Sequence, residues 1–313
     1  MASTDHNDSP GRTIVCVHGR GRKPSAPQLE RLWVEGLRAG LARDYPDSPA
    51  LQNFESANIV LAYYGDLINE RRTGSYDESM DVADLDNALT TLAGLATSKK
   101  FRRSGYEHLP GRSSLKEFLA DIGAPVLSTL RLTEAVLSRR MPELAAYWHD
   151  DAAFAQNARQ RVRERLREAF SRGDEVLVVS HCLGSVITYD ALWELSHVEG
   201  LPNQVSTWIT IGSPIADEYV KRQLHGAKKP AAQRYPRNIV NWYNIAAEDD
   251  FTCHDETVAN DFAAMQQSKA LSRIKDYRIY NLAVRYGRSN PHNFIGYVTH
   301  PRVTKLLGEW LSA

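Results

Sequence analysis

Short apolar runs alternate along this chain with longer stretches in which apolar residues recur every three or four positions. Thr13-Ile-Val-Cys-Val17 ends at His18-Gly-Arg-Gly-Arg22, and Asn58-Ile-Val-Leu-Ala-Tyr-Tyr64 ends at Gly65-Asp66. Glu175-Val-Leu-Val-Val179 is the strongest such run, and others cover residues 205–211, 238–245 and 277–284. Brief runs rich in Val and Ile and bounded by glycine or polar clusters predict strands. Helical spacing appears over residues 29–42, where Leu29, Leu32, Trp33, Leu37 and Leu41 share one side. It recurs in a charged amphipathic stretch over residues 152–171, stopped by Gly173, and over 186–195 and 303–311. Strands alternating with helices predict βαβ units and a mostly parallel central sheet, and burial on both faces explains why the runs are apolar throughout. The expected fold class is α/β.

From about residue 70 to residue 150 the strand signal stops. Helical patterns over residues 82–95 and 115–137 are joined by a basic link, Lys99-Lys-Phe-Arg-Arg-Ser-Gly105. The expected organisation is a core of residues 1–69 and 151–313 with a helical insertion, 70–150, capping the active site. A length of 313 residues suits one large domain with an insertion.

Composition removes several function classes. Thirty-eight basic residues balance 38 acidic ones, so no bulk field steers the chain to nucleic acid or an anionic membrane. The first twelve residues lack an apolar signal core, and no run is long enough to span a bilayer. Cys16, Cys182 and Cys253 stand too far apart for a zinc pattern or a disulfide framework, which predicts a reducing, cytoplasmic setting. No metal or organic cofactor is implied, and a small-molecule acyl substrate is the expected partner.

The chemistry concentrates in Ser180-His181-Cys182-Leu183-Gly184, where the strongest strand enters a turn of small residues and leaves into a helix. A nucleophile at such an elbow follows the G-x-S-x-G pattern, in which small outer residues let strand and helix approach closely. A helix N-terminus also lowers a thiol pKa and supplies backbone N–H groups to an oxyanion. The stretch resembles the elbow of lipase- and esterase-like members of the α/β-hydrolase superfamily, with cysteine in place of serine. The turn His18-Gly19 is similar to their oxyanion loop, and Ile211-Gly-Ser-Pro214 resembles a motif that follows their next strand. The resemblance covers the sheet and leaves out residues 70–150. It implies an α/β-hydrolase fold in which the N–H of Leu183 and one from Gly19, Arg20 or Gly21 form the oxyanion hole.

A triad acid and base would follow the nucleophile in that order. Ala246-Ala-Glu-Asp-Asp-Phe-Thr-Cys-His-Asp255 offers Asp250 as the best-placed acid, with Asp249 and Asp255 as alternatives. His292 is the only histidine in the loop Gly287-Arg-Ser-Asn-Pro-His-Asn-Phe-Ile-Gly296 and is the expected base. His18, His181 and His254 read as structural, and His300, before Pro301, as a cap or surface residue. The arginines between residues 159 and 167 read as a solvated helix face with i,i+4 pairs. Gly19-Arg-Gly-Arg-Lys-Pro24 lacks the ending of a phosphate loop, yet Arg20, Arg22 and Lys23 are candidates to meet an anionic group of the substrate.

These residues predict an ester or thioester hydrolase with a Cys-His-Asp triad and an acyl-enzyme. A thiolate leaves a tetrahedral intermediate more easily than an alkoxide, which favours thioesters and activated esters over plain oxoesters. The alternatives are an acyltransferase or cyclase with the same nucleophile, and a non-catalytic protein on the same scaffold.

Overall fold

The computed structural model describes residues 10–71, 78–111, 141–150, 152–253 and 257–313. The helix expected over 115–137, and His254 and Asp255, lie outside them. Among the described residues six parallel strands form one sheet: β1 (Arg12–Val17), β2 (Asn58–Ala62), β3 (Glu175–His181), β4 (Val205–Ile211), β5 (Ile239–Ala247) and β6 (Arg273–Ile279), in the order β2-β1-β3-β4-β5-β6.

Both faces of the sheet are covered. Successive residues of a strand point to opposite sides. Val15, Val17, Val176, Val178 and Trp208 therefore pack with α4 (Ala152–Ser171) and α5 (Leu183–His197). Ile14, Cys16, Leu177, Val179 and Ile209 pack on the other face with α1 (Ala26–Asp44) and α7 (Pro301–Ser312). This double burial accounts for the unbroken apolar runs. Trp208 and Trp242 stack at 4.5 Å in the centre. Their indole N–H groups donate to Ser180 Oγ at 2.8 Å and Thr210 Oγ1 at 3.0 Å, so the core takes in two large rings without leaving a donor unpaired.

The chain runs outward from β1 to β2 and returns across β1 to β3. The connections after β1 and β3 therefore diverge and open a crevice at the carboxyl ends of the two strands, where ligands bind in open α/β sheets. Within the region expected as an insertion, Met141, Leu144 and Tyr147 are part of the core that includes Val15 and Cys182. α3 (Glu78–Ala96) lies against α1 and against α6 (Phe294–Val298). Among the described residues no helix is long and apolar enough to cross a membrane.

Three local expectations need correction. The last strand is Arg273–Ile279, not 277–284. As an edge strand it exposes Arg273, Lys275 and Arg278, so its pattern is not an apolar run. The chain then leaves the sheet for a hairpin, Val284–Arg285 with Arg288–Ser289. Its two-residue turn holds Tyr286 at φ 49° and Gly287 at φ 71°, the twist that tight hairpins favour. The helix after β3 begins at Leu183 instead of residue 186. The basic face of α4 is not simply solvated: Arg159 reaches Glu194 at 2.7 Å, and Arg163 and Arg167 reach Glu199 at 3.1 and 2.6 Å. Residues four apart share one side of a helix, and here that side meets α5.

Two glycine substitutions should separate close packing from helix propensity. An exposed helix gains about 0.5–1 kcal/mol from Gly→Ala. In α5, a Cβ at Gly184 would sit 2.3 Å from His18 O and 2.8 Å from Val17 O, both backbone atoms. Gly184→Ala is expected to lower unfolding free energy by about 1–3 kcal/mol in urea titration. Gly94→Ala in α3, where a Cβ meets nothing within 4 Å, should be neutral or stabilising.

Candidate active site

β3 ends at His181 and α5 begins at Leu183, so Cys182 alone makes the turn, at φ 53° and ψ −124°. A side chain held there is strained by about 1–3 kcal/mol. The turn is fixed from both sides: Cys182 N–H donates to Ile211 O at 3.1 Å, and Ser185 N–H donates to Cys182 O at 2.9 Å. Ser185 Oγ also donates to Ser180 O at 3.1 Å, which gives both small residues of the elbow a task beyond fitting. The loop after β1 passes directly over the turn. A Cβ at Gly19 would lie 2.8 Å from Cys182 Cβ and 2.7 Å from His181 Nδ1, so only glycine fits.

His292 stands in the loop between the hairpin and α6. Its Nδ1 lies 3.0 and 2.9 Å from the two carboxylate oxygens of Asp250, whose side chain is fully buried. Asp250 also accepts from Tyr297 Oη–H at 2.7 Å and from Thr252 N–H at 2.9 Å. Asp249 takes a positive φ of 61° in the turn after β5 and accepts a hydrogen bond from Tyr106 at 2.9 Å, while its neighbour meets the histidine. The structure thus brings Cys182, His292 and Asp250 together. Gly19, Arg20 and Gly21 lie in the loop over the elbow, and Leu183 is the first residue of α5, where helix N–H groups have no intrahelical acceptor.

The electrostatics follow from burial and contact. Burial opposes ionisation of Asp250, yet His292, Tyr297 and Thr252 hold its pKa below the usual carboxylate value. Burial pushes His292 down, but Asp250 and Cys182 lift it to about 10. Burial pushes the Cys182 thiol up; the charge and hydrogen bond of His292, with the charge and backbone N–H of Arg20, bring it down to about 7. Between these values the stable pair is thiolate and imidazolium, a nucleophile already activated at neutral pH. Burial instead drives the thiols of Cys16 and Cys253 upward, which leaves them inert.

One further supporting residue, Asn281, carries no signal in the sequence, and the histidines read there as structural also support the site. Asn281, fully buried, donates to Pro291 O at 2.8 Å and Asn293 O at 2.9 Å and so clamps both sides of His292. His181 donates from Nε2 to His292 O at 3.0 Å, and its ring lies 4.6 Å from that of His292. Burial holds His181 well below the usual imidazole pKa, so it acts as a neutral post. His18 is also neutral, lowered by burial to about 3. It donates from Nδ1 to Gly19 O at 2.9 Å, accepts Tyr64 N–H at 3.0 Å, and stacks on the Tyr64 ring at 3.9 Å, fixing the loop over the elbow. His300 caps α7 by accepting from Arg302 N–H at 3.0 Å and is buried, so it is not a surface residue.

Cys182 itself is 1% exposed. A cavity of about 570 Å³ lies beside it, bordered by Gly19, Arg20, His181 and His292, with Trp33 and Phe294 among its apolar walls. Among the described residues no group of three or more His, Cys, Asp or Glu side chains converges as metal ligands do. Comparison with protein families, curated proteins and solved structures finds no match for this chain.

The charge pair can be read without a substrate. Alkylation of Cys182 by iodoacetamide, followed by peptide mass against pH, should rise through about 7 and level off. His292→Ala removes the partner that lowers the thiol, so the rise should move to or beyond the free-thiol value of about 8.5. An unchanged midpoint would mean that His292 does not set the thiolate.

Proposed function

We propose that this chain is an α/β-hydrolase-fold enzyme that cleaves ester or thioester bonds through a Cys182–His292–Asp250 triad. One observation carries the reading: a thiol in a strained strand-to-helix turn, paired with a histidine whose other nitrogen meets a buried carboxylate. The order along the chain supports it, because nucleophile, acid and base follow β3, β5 and β6 in turn.

The Cys182 thiolate attacks the acyl carbon, and a C–S bond forms as the carbonyl electron pair moves onto oxygen. The N–H of Leu183 and the backbone N–H of the Gly19–Arg20–Gly21 loop receive that oxyanion. His292 gives its Nε2 proton to the departing thiolate or alkoxide, which leaves the acyl group on sulfur. The neutral imidazole next takes a proton from water as its oxygen attacks the thioester. The carboxylic acid departs, and thiolate and imidazolium are restored. Asp250 holds the Nδ1 proton, keeping Nε2 toward the sulfur. Thiolate expulsion competes with acylation on plain oxoesters, so thioesters and activated esters are the favoured substrates.

Brief incubation with p-nitrophenyl acetate and with a short acyl thioester, read by intact mass, should give one acyl adduct on the parent and none on Cys182→Ala. Asp250→Asn should lower kcat by about 10²–10⁴ with the protein still folded. An adduct that persists in Cys182→Ala, or no adduct and no turnover with either substrate, would overturn the proposal.

A further inference from the structure

The cavity beside Cys182 has a lining at odds with the rest of the protein. The chain as a whole is neutral, with 38 basic and 38 acidic residues. Among the described residues that line the cavity, however, Arg20, Arg22, Lys23 and Arg285 face a single acidic side chain, Asp84. Asp84 is held by Arg285 at 2.6 Å and by Tyr286. That leaves an excess of positive charge in a concave, partly desolvated space, where it acts more strongly than on an open surface.

Two donors in the same lining add an independent observation. The Nε of Arg20 is sealed from solvent and has no hydrogen-bond partner among the described residues. The indole N–H of Trp33, a residue 1% exposed, is in the same condition. Buried donors are almost always paired, so Arg20 and Trp33 each keep in the cavity wall a donor that the protein itself does not use, and a small shift of either side chain would offer it to an entering acceptor. Lys23 is itself a donor and is already engaged: its ammonium donates to Arg20 O at 2.6 Å, which ties the basic run to the loop over the elbow.

We propose that this cavity binds the carboxylate of a substrate that carries an anionic group besides the bond to be cleaved, with Arg20 and Arg285 as its principal partners. The identification of that bond rests on the hydrolase reading above. Guanidinium groups suit a carboxylate because their forked N–H donors match its two oxygens. Leu29, Leu32, Trp33 and Phe294 give the space between anion and reacting carbon an apolar wall, which fits a short hydrocarbon link. Lys23 lies three residues beyond the Arg20 amide that faces the sulfur, so the basic run stays within about 11 Å of it along the backbone. A substrate of a few carbons spans that distance, and a cavity of about 570 Å³ accommodates it.

The binding arm of the test needs no turnover. Cys182→Ala protein is titrated by calorimetry with glutarate and with its neutral diamide at low salt. Glutarate should bind about tenfold more tightly, the effect of one charge-assisted hydrogen-bonded contact. The preference should disappear in Cys182→Ala proteins that also carry Arg285→Gln or Arg20→Gln. Equal binding of the two compounds, no binding of either, or a preference that survives both arginine substitutions overturns the proposal.

The turnover arm compares three thioesters: glutaryl and pentanoyl N-acetylcysteamine, and the pentanoyl thioester of 3-mercaptopropionate. A gain in kcat/KM for the first over the second puts the anion on the acyl side, and a gain for the third puts it on the leaving group. Either gain should shrink as salt rises. Turnover of all three at equal kcat/KM overturns the anion site and leaves the hydrolase reading intact. Glutarate binding without acylation of Cys182 by any thioester does the reverse. A third outcome also overturns the proposal: Arg285→Gln shifting the pH midpoint of Cys182 alkylation with no effect on glutarate, which would confine the cations to holding the thiolate.

Discussion

Holding a residue with a Cβ at φ 53° and ψ −124° requires surroundings that admit no relaxed alternative, and the architecture around Cys182 is organised by that requirement. The amide before the turn is taken by β4 and its carbonyl by the first turn of α5. The helix therefore leaves the strand at once and runs against the end of β1, so close that Gly184 meets the carbonyl oxygens of Val17 and His18. The loop after β1 passes so near the sulfur that Gly19 must also lack a side chain. Two glycines on two different segments thus let strain gather on the one residue between them, and its side chain is left beside the backbone amide of Arg20.

A second constraint is electrostatic. Asp250, His292 and Cys182 form a line of charge with little access to water, and desolvation alone would neutralise all three. Each is kept ionised by the next, and the end of the line is secured by the hydroxyl of Tyr297 and the amide of Thr252. Two further imidazoles close by carry no charge. Burial keeps His18 and His181 neutral, so they serve as hydrogen-bonding posts for the loop over the elbow and for the backbone of His292, without competing for its proton.

Much of this was legible in the chain, and the exceptions have physical causes. Five of the six strands are buried on both faces, which writes them into the sequence as apolar runs. β6 exposes Arg273, Lys275 and Arg278, so its polar positions hide it and shift its apparent location toward Leu282 and Ala283, which instead pack with Leu92, Leu95, Tyr106 and Ile295. The turn at Cys182 was visible because small residues between a strand and a helix have few other uses. The choice between Asp249 and Asp250 depended on a single left-handed residue, which no composition reveals. Asn281 and Tyr297 gave no sign, since a buried polar residue amid apolar ones looks the same whether it supports a site or only the core. The arginines of α4 misled for a related reason: spacing by four marks one side of a helix and says nothing of whether that side meets water or a neighbour.

The division between the sheet and its attachments also separates two properties of the site. The groups at the sulfur stand at strand ends or in loops clamped to the sheet, so close to Gly19 and Gly184 that neither glycine could carry a side chain. The groups that line the rest of the cavity come from outside the sheet: α3 contributes Asp84, the hairpin Arg285, and the glycine-rich loop its basic side chains. In the proposed reading, bond cleavage needs a fixed geometry and so belongs on the rigid part. In the same reading, recognition of the anionic group tolerates variation in the length of its link, and it can be altered in α3 or the hairpin without disturbing the strained turn. The physical reason is the same in both cases: close-packed backbone forbids substitution at the elbow, while side chains that reach into a cavity answer only to what fills it.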